Sequence, residues 1–324
     1  KEGVNDTSET ADTGETVVDC PITMSLLSGE SYTPSVVRLY FTLRDCDGNG
    51  IVGRNGEDFS VLEDGSEISI FESEQQIIPS SLGYDIKSLL LLDMSGSIVD
   101  SGNLGSLQSA ATSFVQSLNE QEVAIYAFDG RQEIQEVVGF TDDTNALQAG
   151  IASLSTYEIV DNSTNLNGSV IKGLEVLSQA ESQSTSNLFS GSLTVFTDGS
   201  DQAGWNSNAE AIAAVSSSNH SVYSVGLGGE VDESHLSSLG TDGSWTATDV
   251  NELESVFGEL SSEIVNRSNS LYILAYCSPK RNGEHSLELG LNGEEASIFY
   301  SFDATGFEGG CSPEDFVQES TPVL

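Results

Sequence analysis

Basic side chains are scarce: 10 Lys and Arg stand against 51 Asp and Glu in 324 residues, a formal net charge of −41. That imbalance excludes the basic patches on which binding to nucleic acid or an anionic membrane surface depends. The acid is spread along the whole chain and repels itself in dilute buffer. In salty water the Debye length falls to roughly 4–5 Å and screens most of that repulsion, which fits a saline or marine habitat. No run of 18 apolar residues occurs, so no transmembrane segment is expected. Histidine is rare, and His220, His235 and His285 share no motif, so they read as solvated or satisfied side chains. There is no internal repeat.

Cysteine is sparse too. Cys20, Cys46, Cys277 and Cys311 form no CxxC pair and have no neighbouring histidine that would complete a zinc site. They read as two disulfides of a chain that matures in an oxidising, extracytoplasmic compartment. Three pairings are open; the local ones, Cys20 with Cys46 and Cys277 with Cys311, stand ahead of a cross-pairing, and four free buried thiols are the alternative. Two cysteines lie near each end, as if a terminal module were stapled and the central one were not.

The chain is long enough for one sizeable core and a smaller module. Residues 1–19, beginning K-E-G-V-N-D-T-S-E-T, are polar and acidic with nothing to bury, and read as a disordered tether. A mature secreted protein, or one lipid-anchored through a residue preceding Lys1, would start this way. Residues 20–80 alternate short β-type segments with turns, among them S-V-V-R-L-Y-F-T-L (35–43), D-F-S-V-L-E-D-G (58–65) and E-I-S-I-F-E (67–72).

From Tyr84 the period changes. Apolar strands at 86–92, 122–128, 192–197 and 221–227 alternate with helical stretches at 103–118, 166–180, 207–217 and 250–266. That is the pattern of a doubly wound α/β domain with a mostly parallel sheet, expected over 84–267. The segment 134–140 follows a tight F-D-G-R-Q-E turn and is expected as an antiparallel edge strand. Residues 270–277, 285–291 and 296–302 are strand-like again, the first two separated by K-R-N-G-E as a hairpin turn. A lone two- or three-stranded sheet is marginal, so residues 20–80 and 270–311 are expected to build one β-sandwich into which the α/β domain is inserted, with 312–324 a solvated acidic tail.

Three loops of the α/β part carry oxygen donors. In D-M-S-G-S, Asp93, Ser95 and Ser97 follow the strand of Leu89 to Leu92 at alternate positions, so one turn can aim a carboxylate and two hydroxyls at one ion. D-N-S-T-N-L-N-G-S-V precedes the helix at 166–180 and offers Thr164; F-T-D-G-S-D ends the strand at 192–197 in Asp198. A divalent cation needs several hard oxygens converging on one point, and the carboxyl ends of parallel strands are where an open α/β sheet brings loops together.

In that order, these three segments resemble the metal-ion-dependent adhesion site of von Willebrand factor type A domains. The resemblance covers about residues 84–267. It extends less specifically to the β-sandwich that flanks such domains in some bacterial surface proteins. It implies that Asp93, Ser95, Ser97 and Thr164 coordinate Mg²⁺, or Mn²⁺ or Ca²⁺, with Asp198 bound directly or through water. Mostly neutral hydroxyl donors under-neutralise a 2+ ion, which then seeks a further carboxylate. The resemblance thus implies a non-enzymatic extracytoplasmic adhesion module that grips a partner's Asp or Glu. A metal-independent structural subunit of a surface assembly is the alternative.

Weaker signals surround this set. D-C-D-G-N-G opens like a calcium loop with Asp45, Asp47 and Asn49, yet position 12 falls on Gly56 and the flanks are strands, so a hairpin turn competes with a structural Ca²⁺. Trp205, just past the third loop, either contacts a ligand or packs on its own helix. Asp93 after a buried strand is also how haloacid-dehalogenase-like phosphatases begin. That family needs a second acid where Ser95 stands and a later loop lysine, whereas Lys172 falls inside a predicted helix.

Overall fold

The computed structural model describes residues 20–100, 102–118, 121–186 and 188–317; the tether expected over 1–19 and the last residues of the tail lie outside them. Five strands come first: β1 (Thr23–Tyr32), β2 (Val36–Arg44), β3 (Phe59–Glu63), β4 (Ser66–Glu67) and β5 (Gln76–Ile78). The α/β part then runs through β6 (Tyr84–Asp93), α1 (Gly96–Asp100), α2 (Leu104–Ser117), β7 (Glu122–Phe128), β8 (Gln135–Thr141), α3 (Thr144–Ser153) and α4 (Leu166–Gln183). It continues with β9 (Leu188–Thr197), α5 (Asn208–Ser217), β10 (Ser221–Leu227), α6 (Glu233–Leu239), β11 (Gly243–Ala247) and α7 (Leu253–Asn269). Three strands close the chain: β12 (Leu271–Cys277), β13 (Glu284–Leu291) and β14 (Ser297–Asp303).

The central sheet has the order β11-β10-β9-β6-β7-β8 and is parallel except for the edge strand β8, which turns back antiparallel on β7. Helices cover both faces, and this accounts for the unbroken leucines of β6. Leu90 and Leu92 join the core beneath α2, α3 and α7, while Leu89 and Leu91 join the core beneath α4, α5 and α6. A strand buried on both faces has no use for polar alternation. Each buried leucine contributes about 2 kcal/mol of transfer free energy, which fixes β6 as the middle of the sheet.

Two four-stranded antiparallel sheets flank it, ordered β1-β2-β12-β5 and β14-β13-β3-β4. Each mixes strands from both ends of the chain: β2 pairs with β12, and β3 pairs with β13. Their facing sides share one core, with Val37, Leu39, Phe41 and Leu274 from one sheet against Phe59, Val61, Leu287 and Leu289 from the other. The opposite face of β2, with Val36 and Tyr40, packs on Tyr84 and Ile86 at the start of β6. β2 is therefore buried on both faces as well. Arg38 lies on that second face, 3% exposed, held by an ion pair to Glu30 at 3.2 Å and a hydrogen bond from Nε to the Tyr32 hydroxyl.

Several sequence expectations need correction. K-R-N-G-E is no hairpin turn, because β12 and β13 belong to different sheets and the segment crosses between them. Of E-I-S-I-F-E only Glu67 is in a strand; the chain then turns, with Gln75 N donating to Ile70 O and Phe71 85% exposed. The tail is not wholly solvated: Phe316 is fully buried beside Tyr84 and Ile273, and Asp315 O accepts from the Tyr32 hydroxyl. Elements α3, α6 and β11 were not anticipated. They are short and rich in Ser, Gly or Ala, and their apolar positions are too few to show a period. The disulfides are the two local ones, Cys20–Cys46 and Cys277–Cys311.

Candidate metal centre

Strand order places the first and third loops side by side. β6 leads by α2 to β7 on one side, while β9 lies on its other side and leads by α5 to β10. The carboxyl ends of β6 and β9 thus flank the point where the winding reverses, which is where open α/β sheets form a crevice. Asp93 ends β6, and Asp198 directly follows β9.

Asp93 is fully buried and held from two sides. Its Oδ1 accepts from Ser95 N at 2.8 Å, and its Oδ2 accepts from Thr197 Oγ1 at 2.7 Å. Ser95 Oγ lies 3.2 Å from Ser97 Oγ, which donates to Asp198 Oδ1 at 2.7 Å. One hydrogen-bonded chain therefore joins Asp93, Ser95, Ser97 and Asp198.

Thr164 reaches the same place through the backbone. Its carbonyl accepts from Gln202 N at 2.8 Å and Ala203 N at 3.0 Å, tying the second loop to the third. Gly96 N donates to Asn162 O, tying the first loop to the second, and a Cβ at Gly96 would meet the Asn162 side chain at 3.3 Å. A Cβ built on Gly199 would stand 3.6 Å from Thr164 Oγ1, so that hydroxyl faces the residue next to Asp198. Thr164 is 2% exposed.

Burial sets the electrostatics of both carboxylates. Burial pushes the Asp93 carboxyl up to about 7, with the nearby charge of Asp198 adding to the effect and the Thr197 and Ser95 hydrogen bonds opposing it. Burial likewise raises Asp198, against the Ser97 hydrogen bond, and Glu230 raises it further. Arg131 is the cation of the neighbouring β7–β8 turn, but its Nε and Nη2 grip both oxygens of buried Asp129, at 2.9 and 2.7 Å. Two carboxylates and three hydroxyls, all hard oxygens with no thiolate or imidazole among them, suit Mg²⁺, Mn²⁺ or Ca²⁺. Only two of the five are acidic, and the described residues contain no cluster of three or more His, Cys, Asp or Glu placed to hold a metal ion.

The other singled-out residues lie elsewhere. Asp45 caps its own turn: its carboxylate accepts from Asp47 N, Asn49 N and Asn49 Nδ2, and Gly48 takes φ +87°. Trp205 stands at the rim of the three loops, 55% exposed, with Nε1 donating to Gly130 O at 2.9 Å. Lys172 sits within α4, paired with Glu175 at 3.0 Å and Glu133 at 3.9 Å. His220 and His235 are nearly buried, and His285 bonds Asp64 on a flanking sheet.

Sequence reasoning missed the supporting residues. Thr197 orients Asp93, and only the pairing of β9 with β6 reveals it. Asp129 directly follows β7, near the same sheet edge as Asp93 at the end of β6, a signal legible in the sequence; its carboxylate also accepts from Val160 N and Arg131 N, and its carbonyl from Asn165 N, which shapes the loop carrying Thr164. Asn167, the second residue of α4, bonds His235 Nε2 at 2.7 Å and Asn208, and its backbone N–H donates to Asp201.

The profile of the von Willebrand factor type A domain matches residues 89–259, more than half of the chain. The chain belongs to that family. Among curated proteins there is no match. The solved structures similar to it include proximal thread matrix protein 1 from the mussel byssus, in a form with a zinc-occupied MIDAS motif, at 16% identity and TM-score 0.47, covering 56% of this chain and 48% of that one. A von Willebrand factor type A protein from Catenulispora acidiphila has 11% identity and TM-score 0.47, covering 89% and 74%. The pilus adhesin SpaC from Lactobacillus rhamnosus GG has 11% identity and TM-score 0.47, covering 86% and 46%. The chain spans about half the length of the mussel protein. Among the described residues of this A-domain protein, no helix is long and apolar enough to cross a membrane.

Proposed function

We propose that this protein is a non-enzymatic, extracytoplasmic binding module, with an A domain at 84–267 inserted into a sandwich built from 20–80 and 270–311. Asp93, Ser95, Ser97 and Thr164 would hold Mg²⁺, Mn²⁺ or Ca²⁺, with Asp198 direct or through water. The bound ion supplies an open coordination position for a partner's Asp or Glu carboxylate. The chain's own residues do the positioning: Thr197 and Ser95 N fix the rotamer of Asp93, and the Gln202 and Ala203 amides fix the backbone of Thr164. The observation that supports the reading is the joining of the three loops at one sheet edge: Thr197 bonds Asp93, Ser97 bonds Asp198, and the Thr164 backbone is tied to the loop of Asp198, beside two carboxylates whose pKa values burial has raised.

Two disulfides support maturation in an oxidising compartment. The test is calorimetric titration with Mg²⁺, Mn²⁺ and Ca²⁺ of the wild type and of Thr164→Ala. Saturable binding that Thr164→Ala weakens at least about tenfold, with the melting curve of the ion-free protein unchanged, supports the site. Absence of binding by the wild type leaves the A domain as a metal-independent scaffold.

A further inference from the structure

The loops around the candidate centre carry an unusual rim. Trp205 and Val160 are 55% and 68% exposed, and both are pinned: Trp205 by its indole bond to Gly130 O, Val160 by its N–H on Asp129 Oδ2. Gly130 N donates to Asp161 O, so the β7–β8 turn that holds the Trp205 indole is also tied to the loop that bears Val160. The Trp205 loop is fixed again by Asp201, which accepts from Asn167 N at 3.0 Å and Gly204 N at 3.1 Å. An exposed indole already held in place loses little freedom on contact, which is the property of an interface anchor.

Around this apolar pair the charge is of one sign. Glu158 and Asp161 lie in the Val160 loop, Asp198 and Asp201 in the Trp205 loop, and Glu230 and Asp232 in the neighbouring β10–α6 loop, which Ser200 Oγ ties to the Trp205 loop through Glu230 O; the one Lys or Arg in these loops and the adjoining β7–β8 turn, Arg131, is taken up by Asp129. A carboxylate arriving on an acidic or unscreened partner is repelled by that field before it reaches an ion. A carboxylate surrounded by Lys or Arg is attracted instead, and an exposed indole face gains further from a nearby cation.

We propose that the partner is a protein surface presenting one Asp or Glu within a cationic, partly apolar frame, seated with the frame on Trp205 and Val160 and the carboxylate over Thr164. The proposal rests on the metal-bridge reading for the carboxylate and on the rim alone for the frame. A neutral glycan stacked on Trp205 is the competing occupant.

The experiment displays peptides densely on beads, so that weak single contacts register through avidity. Three peptides share a leucine-containing backbone: one Asp flanked by lysines, the same Asp flanked by glutamates, and Asn flanked by lysines; maltotetraose-coated beads form the fourth arm. With Mg²⁺ at low salt, the lysine-framed Asp peptide should retain the full chain at least about tenfold better than the glutamate-framed one. The ratio should shrink at high salt. Trp205→Ala should cut that retention about tenfold while leaving calorimetric Mg²⁺ binding unchanged, and Trp205→Phe should retain most of it. No retention on the lysine-framed beads, equal retention on both Asp peptides, no effect of Trp205→Ala, or preferential retention on maltotetraose would each overturn the proposal. Equal, EDTA-insensitive retention of the Asn and Asp peptides would remove the metal bridge while leaving the cationic frame standing.

Discussion

Asp93 offers the sharpest quantitative test. Its carboxyl is fully buried and pushed up to about 7 from 3.8, chiefly by burial. Between those two values the folded chain holds a proton at Asp93 that the unfolded chain has lost. The folded state therefore gains stability from this group at low pH and loses it as pH rises through the folded pKa. The gap between 3.8 and about 7, at roughly 1.4 kcal/mol per pH unit, amounts to about 4 kcal/mol of stability lost from the ion-free protein. Asp93→Asn keeps the size and the acceptor for Thr197 but cannot ionise.

Urea unfolding in EDTA, from about pH 4 to about pH 8, measures the difference. Self-repulsion among the many surface carboxylates also rises with pH, but it is common to both proteins, so the readout is the wild-type profile minus that of Asp93→Asn. That difference should fall by about 4 kcal/mol across the window. At the upper end Mg²⁺ should restore stability to the wild type, by about 2.7 kcal/mol at a hundredfold excess over Kd, and do less for Asp93→Asn. Parallel profiles would refute the claim that burial dominates at Asp93, and equal rescue by Mg²⁺ would refute its role as a ligand.

Other consequences follow from the same structure. Arg131→Ala strips both side-chain bonds from an Asp129 that stays fully buried, so urea unfolding should show a loss of about 3–5 kcal/mol, largely relieved when Asp129→Asn is added. Opening Cys277–Cys311 by replacing both with serine frees a loop of 34 residues, which should cost about 3–4 kcal/mol and make the chain around Phe316 susceptible to limited proteolysis. A Cβ at Gly29 would lie 2.6 Å from the Tyr300 ring across the open edges of β1 and β14. Gly29→Val should therefore lower stability by about 1–3 kcal/mol, and less in a Tyr300→Ala background.

What was legible in the sequence was whatever a single strand or loop carries by itself. Leu89 to Leu92 announce double burial because burial on both faces removes the polar alternation, and D-M-S-G-S announces donors because its alternate positions share one turn. What was not legible depends on pairing. Thr197 looks like an ordinary strand threonine until β9 lies beside β6 and brings its hydroxyl to Asp93. The K-R-N-G-E segment looks like a hairpin turn because local sequence cannot say that its two strands belong to different sheets. Phe316 looks like part of a solvated tail because the pocket that buries it is built by Tyr84, Ile273 and Val36, from three distant elements.

The relation between the site and the flanking sheets gives the proposed role a mechanical side. Asp93 and Tyr84 are the two ends of β6, and Tyr84 meets Tyr40 of β2 edge-on at 5.8 Å. The chain leaves the α/β part at the same end, since only Ser270 separates α7 from β12, and β12 pairs directly with β2. A pull applied at the site therefore runs along β6, loading its two parallel ladders with β7 and β9 in shear, where many hydrogen bonds share the force rather than breaking one by one. It arrives in the cluster of Tyr40, Tyr84, Cys277 and Phe316, next to the Cys277–Cys311 bond. Binding and anchoring are thus separable. Opening that disulfide should leave ion affinity by calorimetry unchanged while lowering the force at which the flanking sheets yield in single-molecule pulling, whereas Thr164→Ala should lower ion affinity and leave that force unchanged.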